Sequence, residues 1–467
     1  MSLREDNGLC ILSLFKGRVS QEIQLINQGL GRAQVGTCQL GPKGQSIEEL
    51  APEFVKVLSR KRDDPEVNAV FLNLTFDAAE MNEERIDCVL GVLREISANS
   101  ESFPFITDVI VNRNSILKER IRQSTDISAV LRHSAIKFWD DDATLQIEDS
   151  KYRDTSANSG VQSMVWLHRQ ILAARAQAYL TENEQHRFTC IRNRAYFAVM
   201  HRLNNGEYDS QIEIEESAYK NHLAFDVDAE LSTDSPLLTV YFNGAIDPAR
   251  AAGRPVFQRK SWWPELPGDS SSIPDPTQSA YSNLALGWGQ GTKTNWGVIS
   301  QAAMVSGLST AWREFNELTS DEGRVNLYGS SGGGFQALAV GTFTSVSNVI
   351  VNNPQVDWLK YEGRSHVRQL MQEVYGPHSN NPSFRDTWSY RISVIDLWRA
   401  VGFAPEFTYV VNSASRFDLK NQVNELLKFW STYEGASMVN NSQLRFYSAP
   451  EDGHNPLLTR ELIELLN

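Results

Sequence analysis

Cysteine is scarce in this sequence: four in 467 residues, at Cys10, Cys38, Cys88 and Cys190. None forms a C-x-x-C pair or stands at zinc-ligand spacing from a histidine, so neither a disulfide framework nor a metal site is expected. Scattered, reduced thiols point to a cytoplasmic protein. No apolar run reaches the ~18 residues that a membrane span needs. The segment Cys10–Phe15 (CILSLF) is too short for the core of an export signal and lacks a small-residue cleavage site, so neither export nor membrane insertion is indicated. Positive charge is also in short supply: 44 Lys and Arg stand against 57 Asp and Glu, a formal net charge of −13. A field of that sign repels polyphosphate wherever no basic patch offsets it, and no such patch is apparent, so nucleic acid is not an expected partner. Repeats and low-complexity tracts are absent too.

What remains is the composition of a folded globular protein, 41% apolar and 22% charged. At roughly 150 residues per domain the length predicts two or three domains, or one large α/β unit with a smaller companion. The first part, residues 1–182, alternates short apolar runs with helical patterns. Val67–Leu74 and Phe103–Val111 read as buried strands, and residues 47–60, 83–97 and 161–180 as amphipathic helices, which predicts a small α/β domain. Gly29–Gly36 (GLGRAQVG) has misspaced glycines after a polar stretch and fails as a dinucleotide loop. Nothing in this part groups a nucleophile with a base.

A polar joint at Thr181–His186 predicts the start of a second domain, residues 183–467. Ala195–Met200, Gln211–Glu215, His222–Ala229 and the strongly apolar Leu237–Phe242 read as strands. Asp247–Thr292 reads as a long Pro/Gly/Ser-rich excursion. From Trp296 a helical pattern runs to about Leu318, followed by alternating strands and helices.

One motif stands above background, Gly329–Gly333 (GSSGG), a G-x-S-x-G. It follows the strand-like Arg324–Tyr328 and precedes the helical Phe335–Val340, the strand-turn-helix context of a nucleophile elbow. Ser331 would sit at the apex with its hydroxyl exposed and the Gly332 amide at a helix N-terminus. A plain glycine-rich turn or phosphate loop is the bland alternative, but a phosphate loop needs a lysine after its glycines and there is none. A serine hydroxyl needs a base, which in this arrangement arrives late in the chain. His454 does so, in the loop Glu451–Asn455 after the strand-like Gln443–Tyr447 and before a final amphipathic helix. The third member is open. Asp418 is the first carboxylate after the penultimate strand Pro405–Val411 and preserves the order Ser, Asp, His, yet it also reads as an N-cap of a helix from Leu419. Asp357, Glu451 and Asp452 are the alternatives.

For the oxyanion, the Gly332 amide is joined by Gly244 or Ala245, in the turn that ends Leu237–Phe242. Trp262, Trp263 and Trp288 fall between that turn and the elbow, where indole faces suit sugar rings or acyl chains, although core packing is the commoner fate of tryptophan. Gly268–Ser270 (GDS) resembles another esterase signature but lies in a proline-flanked stretch with no strand predicted before it.

Taken together, Phe242–Ala245, Ile273–Pro276, Leu286–Gly291, Gly329–Phe335 and Asn353–Gln355 resemble the α/β-hydrolase superfamily over the C-terminal half of the chain. More narrowly they look like a bacterial branch distantly similar to the acetyltransferase-type component of the accessory Sec system and to enzymes of surface glycans. The resemblance implies an α/β-hydrolase fold, mostly parallel with flanking helices, preceded by the smaller α/β domain. It also implies a serine esterase or O-acyltransferase, without cofactor, acting on a small ester or acylated glycan. Ser415 stands where the superfamily commonly has Asp. A catalytically silent scaffold on the same fold is the second reading.

Overall fold

In the computed structural model the described residues are 8–13, 36–39, 67–74, 83–98, 106–112 and 135–139, isolated positions between them, and 179–466 apart from 217, 230–235, 319–322 and 440–441. The chain divides into two compact units, Met1–Asn193 with Thr319–Asp321, and Arg194–Leu318 with Glu322–Asn467. In the first unit, β1 (Gly8–Ser13), β2 (Gly36–Gln39), β3 (Val67–Asn73), β4 (Ile106–Asn112) and β5 (Ala135–Trp139) form a sheet of order β2-β1-β3-β4-β5. Every pair is parallel. Parallel neighbours need crossovers, and α1 (Glu83–Ala98) supplies the one between β3 and β4. Its Ile86, Val89, Leu90, Leu93 and Ile96 form one buried stripe. Of the helices expected over residues 47–60 and 161–180 only scattered positions before residue 179 are described, residue 56 and residues 169, 172–173 and 176–177, all helical; the rest up to there, and most of the glycine segment 29–36, lies outside the described residues.

Helix α2 (Glu182–Asn204) corrects two expectations, the polar joint at Thr181–His186 and the strand at Ala195–Met200. The polar run is a capping box. Glu184 N–H donates to Thr181 Oγ1 at 3.3 Å, and Glu184 Oε2 accepts from Thr181 N–H at 3.0 Å. Buried Phe188, Ile191, Ala195, Val199 and Leu203 then recur at helical spacing through the supposed strand.

The second unit is built on eight strands: β6 (Asp209–Glu215), β7 (Lys220–Asp226), β8 (Leu237–Phe242), β9 (Asp269–Ile273), β10 (Arg324–Ser330), β11 (Asn348–Asn352), β12 (Phe407–Asn412) and β13 (Gln443–Tyr447). Their order is β13-β12-β11-β10-β8-β9-β7-β6. From β13 to β9 all pairs are parallel; β7 runs antiparallel to both β9 and β6. Flanking helices include α3 (Gly297–Phe315), α4 (Gly332–Thr342), α5 (Val394–Val401) and α6 (Thr459–Leu466). β8 and β12 are buried at every position, as strands covered on both faces must be. This is an α/β-hydrolase fold.

β9 is the third correction. The excursion Asp247–Thr292 is expected to be irregular, yet Asp269–Ile273 (DSSSI) within it pairs with both β7 and β8. The strand hides from a hydrophobicity reading because its buried side chains are mostly polar, and two of them, Asp269 and Ser271, are partnered from within. Ser271 Oγ–H donates to Ala224 O at 2.9 Å, and the Asp269 carboxylate accepts from Asp228 N–H and the Trp312 indole.

This order fixes where a site can form. The chain leaves β8 toward β9 on one side and returns as β10 on the other, so the loops after β8 and β10 part at the carboxyl ends of the strands. Such a reversal of winding opens a crevice there. Asn243–Ala245 follow β8, and Ser331 follows β10.

Candidate active site

Ser331 separates β10 from α4 with φ 55° and ψ −124°, a conformation that L-residues with a Cβ avoid. The turn is possible because its neighbours are glycines. A Cβ on Gly329 would lie 2.1 Å from Gly333 O, and one on Gly333 would lie 2.5 Å from Phe242 O. Strand, elbow and the end of β8 therefore touch backbone to backbone. Ser331 N–H donates to Asn352 O at 3.1 Å, which leaves the hydroxyl at the apex.

The late histidine arrives at that hydroxyl. Ser331 Oγ–H donates to His454 Nε2 at 2.9 Å, and His454 Nδ1–H donates to Asp418 Oδ2 at 2.6 Å. Asp418 is buried, in the turn Arg416–Asp418 after β12; it stands just before the helical segment Leu419–Val423, as read in sequence, but its side chain makes no capping hydrogen bond there. Ser415, the residue at the usual acid position, donates its hydroxyl to the same Asp418 oxygen. One helical turn apart, the two side chains face the same way. Of the alternative acids, Asp357 is engaged elsewhere, accepting Leu359 N–H at 3.0 Å and pairing with Arg385 at 2.8 Å. Glu451 and Asp452 are exposed on the histidine loop.

Three asparagines to which the sequence assigned no role hold that loop, Asn353 among them from the Asn353–Gln355 motif. Asn412 Nδ2–H donates to Gly453 O at 2.9 Å and Ala449 O at 2.7 Å. Asn353 Nδ2–H reaches Asn455 O at 3.2 Å, and Asn352 Oδ1 accepts Leu457 N–H at 2.9 Å. All three are fully buried at the carboxyl ends of β11 and β12. Their signal was the polar Asn352–Asn353 pair closing an apolar strand. Gln355 was likewise unassigned: its Nε2–H donates to Ser331 Oγ at 3.1 Å, and its Oε1 accepts the Trp288 indole N–H at 3.0 Å.

The expected oxyanion donors differ in availability. Gly332 opens α4, where the first N–H groups lack intrahelical acceptors. Gly244 is beside the nucleophile, with its would-be Cβ 3.8 Å from Ser331 Cβ. Its N–H, however, donates to Gln258 Oε1 at 2.9 Å, while Gln258 Nε2–H donates to Ala245 O at 2.6 Å. Ala245 itself is exposed.

The tryptophans are mostly packed. Trp263 stacks on Tyr241 with ring centroids 6.5 Å apart and belongs to a buried cluster with Tyr328 and Leu462. Trp288 is fully buried, stacked on Trp358 at 5.8 Å. Trp262 is only half-buried, with the Arg259 guanidinium 5.2 Å over its ring. Beside the histidine, the Tyr361 ring centroid lies 6.1 Å from the imidazole. Burial, with the Asp418 charge adding to it, pushes the Tyr361 hydroxyl up. Among the described residues no group of His, Cys, Asp and Glu is placed to hold a metal ion, and no helix is long and apolar enough to cross a membrane.

The class these features define is an α/β-hydrolase fold bearing a hydrogen-bonded Ser, His, Asp arrangement at its elbow. No protein-family model and no curated protein matches the chain by sequence. Solved structures do resemble it. The capsule O-acetyltransferase of Neisseria meningitidis serogroup A is 14% identical, with a TM-score of 0.36 over 54% of this chain and 92% of that one. The peroxisomal alpha-beta-hydrolase Lpx1 from Saccharomyces cerevisiae is 14% identical, with a TM-score of 0.31 over 55% and 86%. Prolyl oligopeptidase B from Galerina marginata is 13% identical, with a TM-score of 0.38 over 55% of this chain and 35% of that protein.

Proposed function

We propose that this protein is a serine-dependent esterase or O-acyltransferase working through an acyl-enzyme. The observation that carries the reading is the continuous contact Ser331 Oγ to His454 Nε2 at 2.9 Å and His454 Nδ1 to Asp418 Oδ2 at 2.6 Å. Asp418 keeps the Nδ1–H tautomer, so Nε2 is left to accept the serine proton. Ser331 Oγ attacks the ester carbonyl and His454 takes its proton. The imidazolium then gives that proton to the departing alkoxide as the carbonyl–oxygen bond breaks. Water or a second hydroxyl then repeats the sequence in reverse and frees the serine. The carbonyl oxygen, negative in the intermediate, lies against the Gly332 N–H and the loop after β8. There Ala245 is the available second donor, because Gln258 occupies Gly244.

The substrate class is a small ester or an acylated glycan, following the distant sequence resemblance to enzymes of surface glycans. Half-buried Trp262 is the tryptophan of the three that retains a partly open face for it. The scaffold reading rested on an acid in doubt, and the Asp418 contact supports the enzymatic one against it. A fluorophosphonate probe tests this directly. Wild-type protein should label on Ser331 and hydrolyse short-chain esters. Ser331→Ala should lose labelling and keep at most the ~10³–10⁴ over water that binding and oxyanion donors sustain. Labelling of the alanine variant at the wild-type rate overturns the proposal.

A further inference from the structure

The mechanism above leaves one buried polar side chain on the nucleophile without a task. Gln355 is fully buried, and its amide has a fixed orientation. Trp288 Nε1–H donates to its Oε1 at 3.0 Å. An indole is a donor only, so this contact selects which end of the amide faces it and turns the NH₂ end toward the serine. Nε2–H accordingly lies 3.1 Å from Ser331 Oγ, nearer than Oε1 at 3.4 Å, and 3.5 Å from His454 Nε2. The serine oxygen thus gives its proton to histidine and receives one hydrogen bond from Gln355.

Trp288 is itself held firmly. It stacks on Trp358 and meets Tyr361 edge-on at 5.6 Å. Its backbone has φ 49°, in a loop where buried Asp275 Oδ2 accepts Gly289 N–H at 3.0 Å. A left-handed tryptophan between glycines is strain that a purely packing role does not require. The backbone of Gln355 is anchored too, its N–H donating to Ser331 O at 3.3 Å. The following Val356 and Asp357 amides both donate to buried Gln422 Oε1, at 2.9 and 3.1 Å.

Building on the proposed serine mechanism, we propose that Gln355 is a catalytic hydrogen-bond donor to the nucleophile's oxygen, with Trp288 as the residue that positions its amide. As the proton passes from Oγ to His454, charge grows on Oγ and the Nε2–H bond becomes charge-assisted, strengthening toward the transition state. When the acyl–Oγ bond breaks in the second half, Oγ departs with the same developing charge and receives the same donor. Gln355 exchanges no proton; His454 returns the one it took.

The test compares fluorophosphonate labelling rates and the burst and steady-state phases of p-nitrophenyl acetate hydrolysis. Gln355→Leu, which keeps bulk and loses the donor, should slow both phases by ~10²–10³-fold, the range for loss of one preorganised donor. Gln355→Glu keeps the shape and the Trp288 contact but turns an acceptor toward the serine. It should lose at least as much, and it decides the matter if the leucine variant is unstable. Trp288→Phe should lose ~10-fold, and adding it to Gln355→Leu should cost nothing more, because Trp288 acts through Gln355. Folded Gln355 variants that label at the wild-type rate, while labelling still requires Ser331, overturn this proposal alone. Labelling that is indifferent to Ser331 overturns the serine mechanism and this proposal with it.

Discussion

Asp418→Asn tests whether the buried carboxylate sets the imidazole tautomer. Asn has nearly the same volume, so the 2.6 Å approach of His454 Nδ1 survives in either amide orientation. Ser415 accommodates either orientation. Its hydroxyl donates to the same Asp418 oxygen, and a hydroxyl can equally accept, so an Nδ2 placed there finds a ready partner. With Nδ2 facing Nδ1, the imidazole must carry its proton on Nε2, and it can no longer accept from Ser331. Trapping the wrong tautomer lowers turnover by ~10⁴ in a triad of this geometry, or about 5.5 kcal/mol of transition-state stabilisation. Ser415→Ala removes only a supporting hydrogen bond and should leave activity within about tenfold of wild type, at a cost near 1.5–3 kcal/mol in stability. The assay is single-turnover acylation by a chromogenic ester, paired with thermal melting to show that the Asn variant is folded. An Asn variant within tenfold of wild type would refute the reasoning, and Asp357 could not rescue it, because Arg385 and Leu359 N–H already hold that carboxylate.

Two further outcomes follow from the frame around the site. Gly329→Ala places a Cβ 2.1 Å from Gly333 O, and backbone cannot yield as a side-chain tip can; denaturant titration should show a loss of about 1–3 kcal/mol or more, with ester hydrolysis falling alongside. Asp269, whose carboxyl burial pushes up to about 6 from an ordinary 3.8, binds its proton more tightly folded than unfolded. Stability from this group is therefore full at low pH and declines as pH rises from about 4 to about 6, by roughly 3 kcal/mol at 1.36 kcal/mol per unit. Asp269→Asn, which does not titrate, should lack that decline; identical pH profiles of the two denaturation midpoints would contradict the assignment.

The parts legible in the sequence were those whose physics is local. β8 announces itself by continuous apolar residues, the elbow by glycines that backbone proximity demands, and His454 by its place between a strand and a last amphipathic helix. The misread parts depend on partners far away in the chain. In DSSSI the distant Ala224 and Trp312 partner Ser271 and Asp269, and in TENEQH the helix start is capped by Thr181 and Glu184 bonding one another.

The acid was ambiguous for a related reason. Chain order favoured Asp418, while loop length favoured position 415, and no one-dimensional spacing can weigh the two. The helical turn at residues 416–418 brings both side chains to one place, with Ser415 donating to Asp418, and the proposed role of Asp418 as the acid rests on that arrangement. Gln355 was less visible still. An amide has no titration and no metal affinity to advertise it, and its position on the nucleophile depends on an indole 67 residues earlier in the chain. A residue of that kind is found by asking what each buried polar atom is bonded to, because burying an amide beside the nucleophile costs free energy unless both its ends are satisfied. In Gln355 both ends are satisfied, one by Trp288 and the other by the oxygen proposed to react.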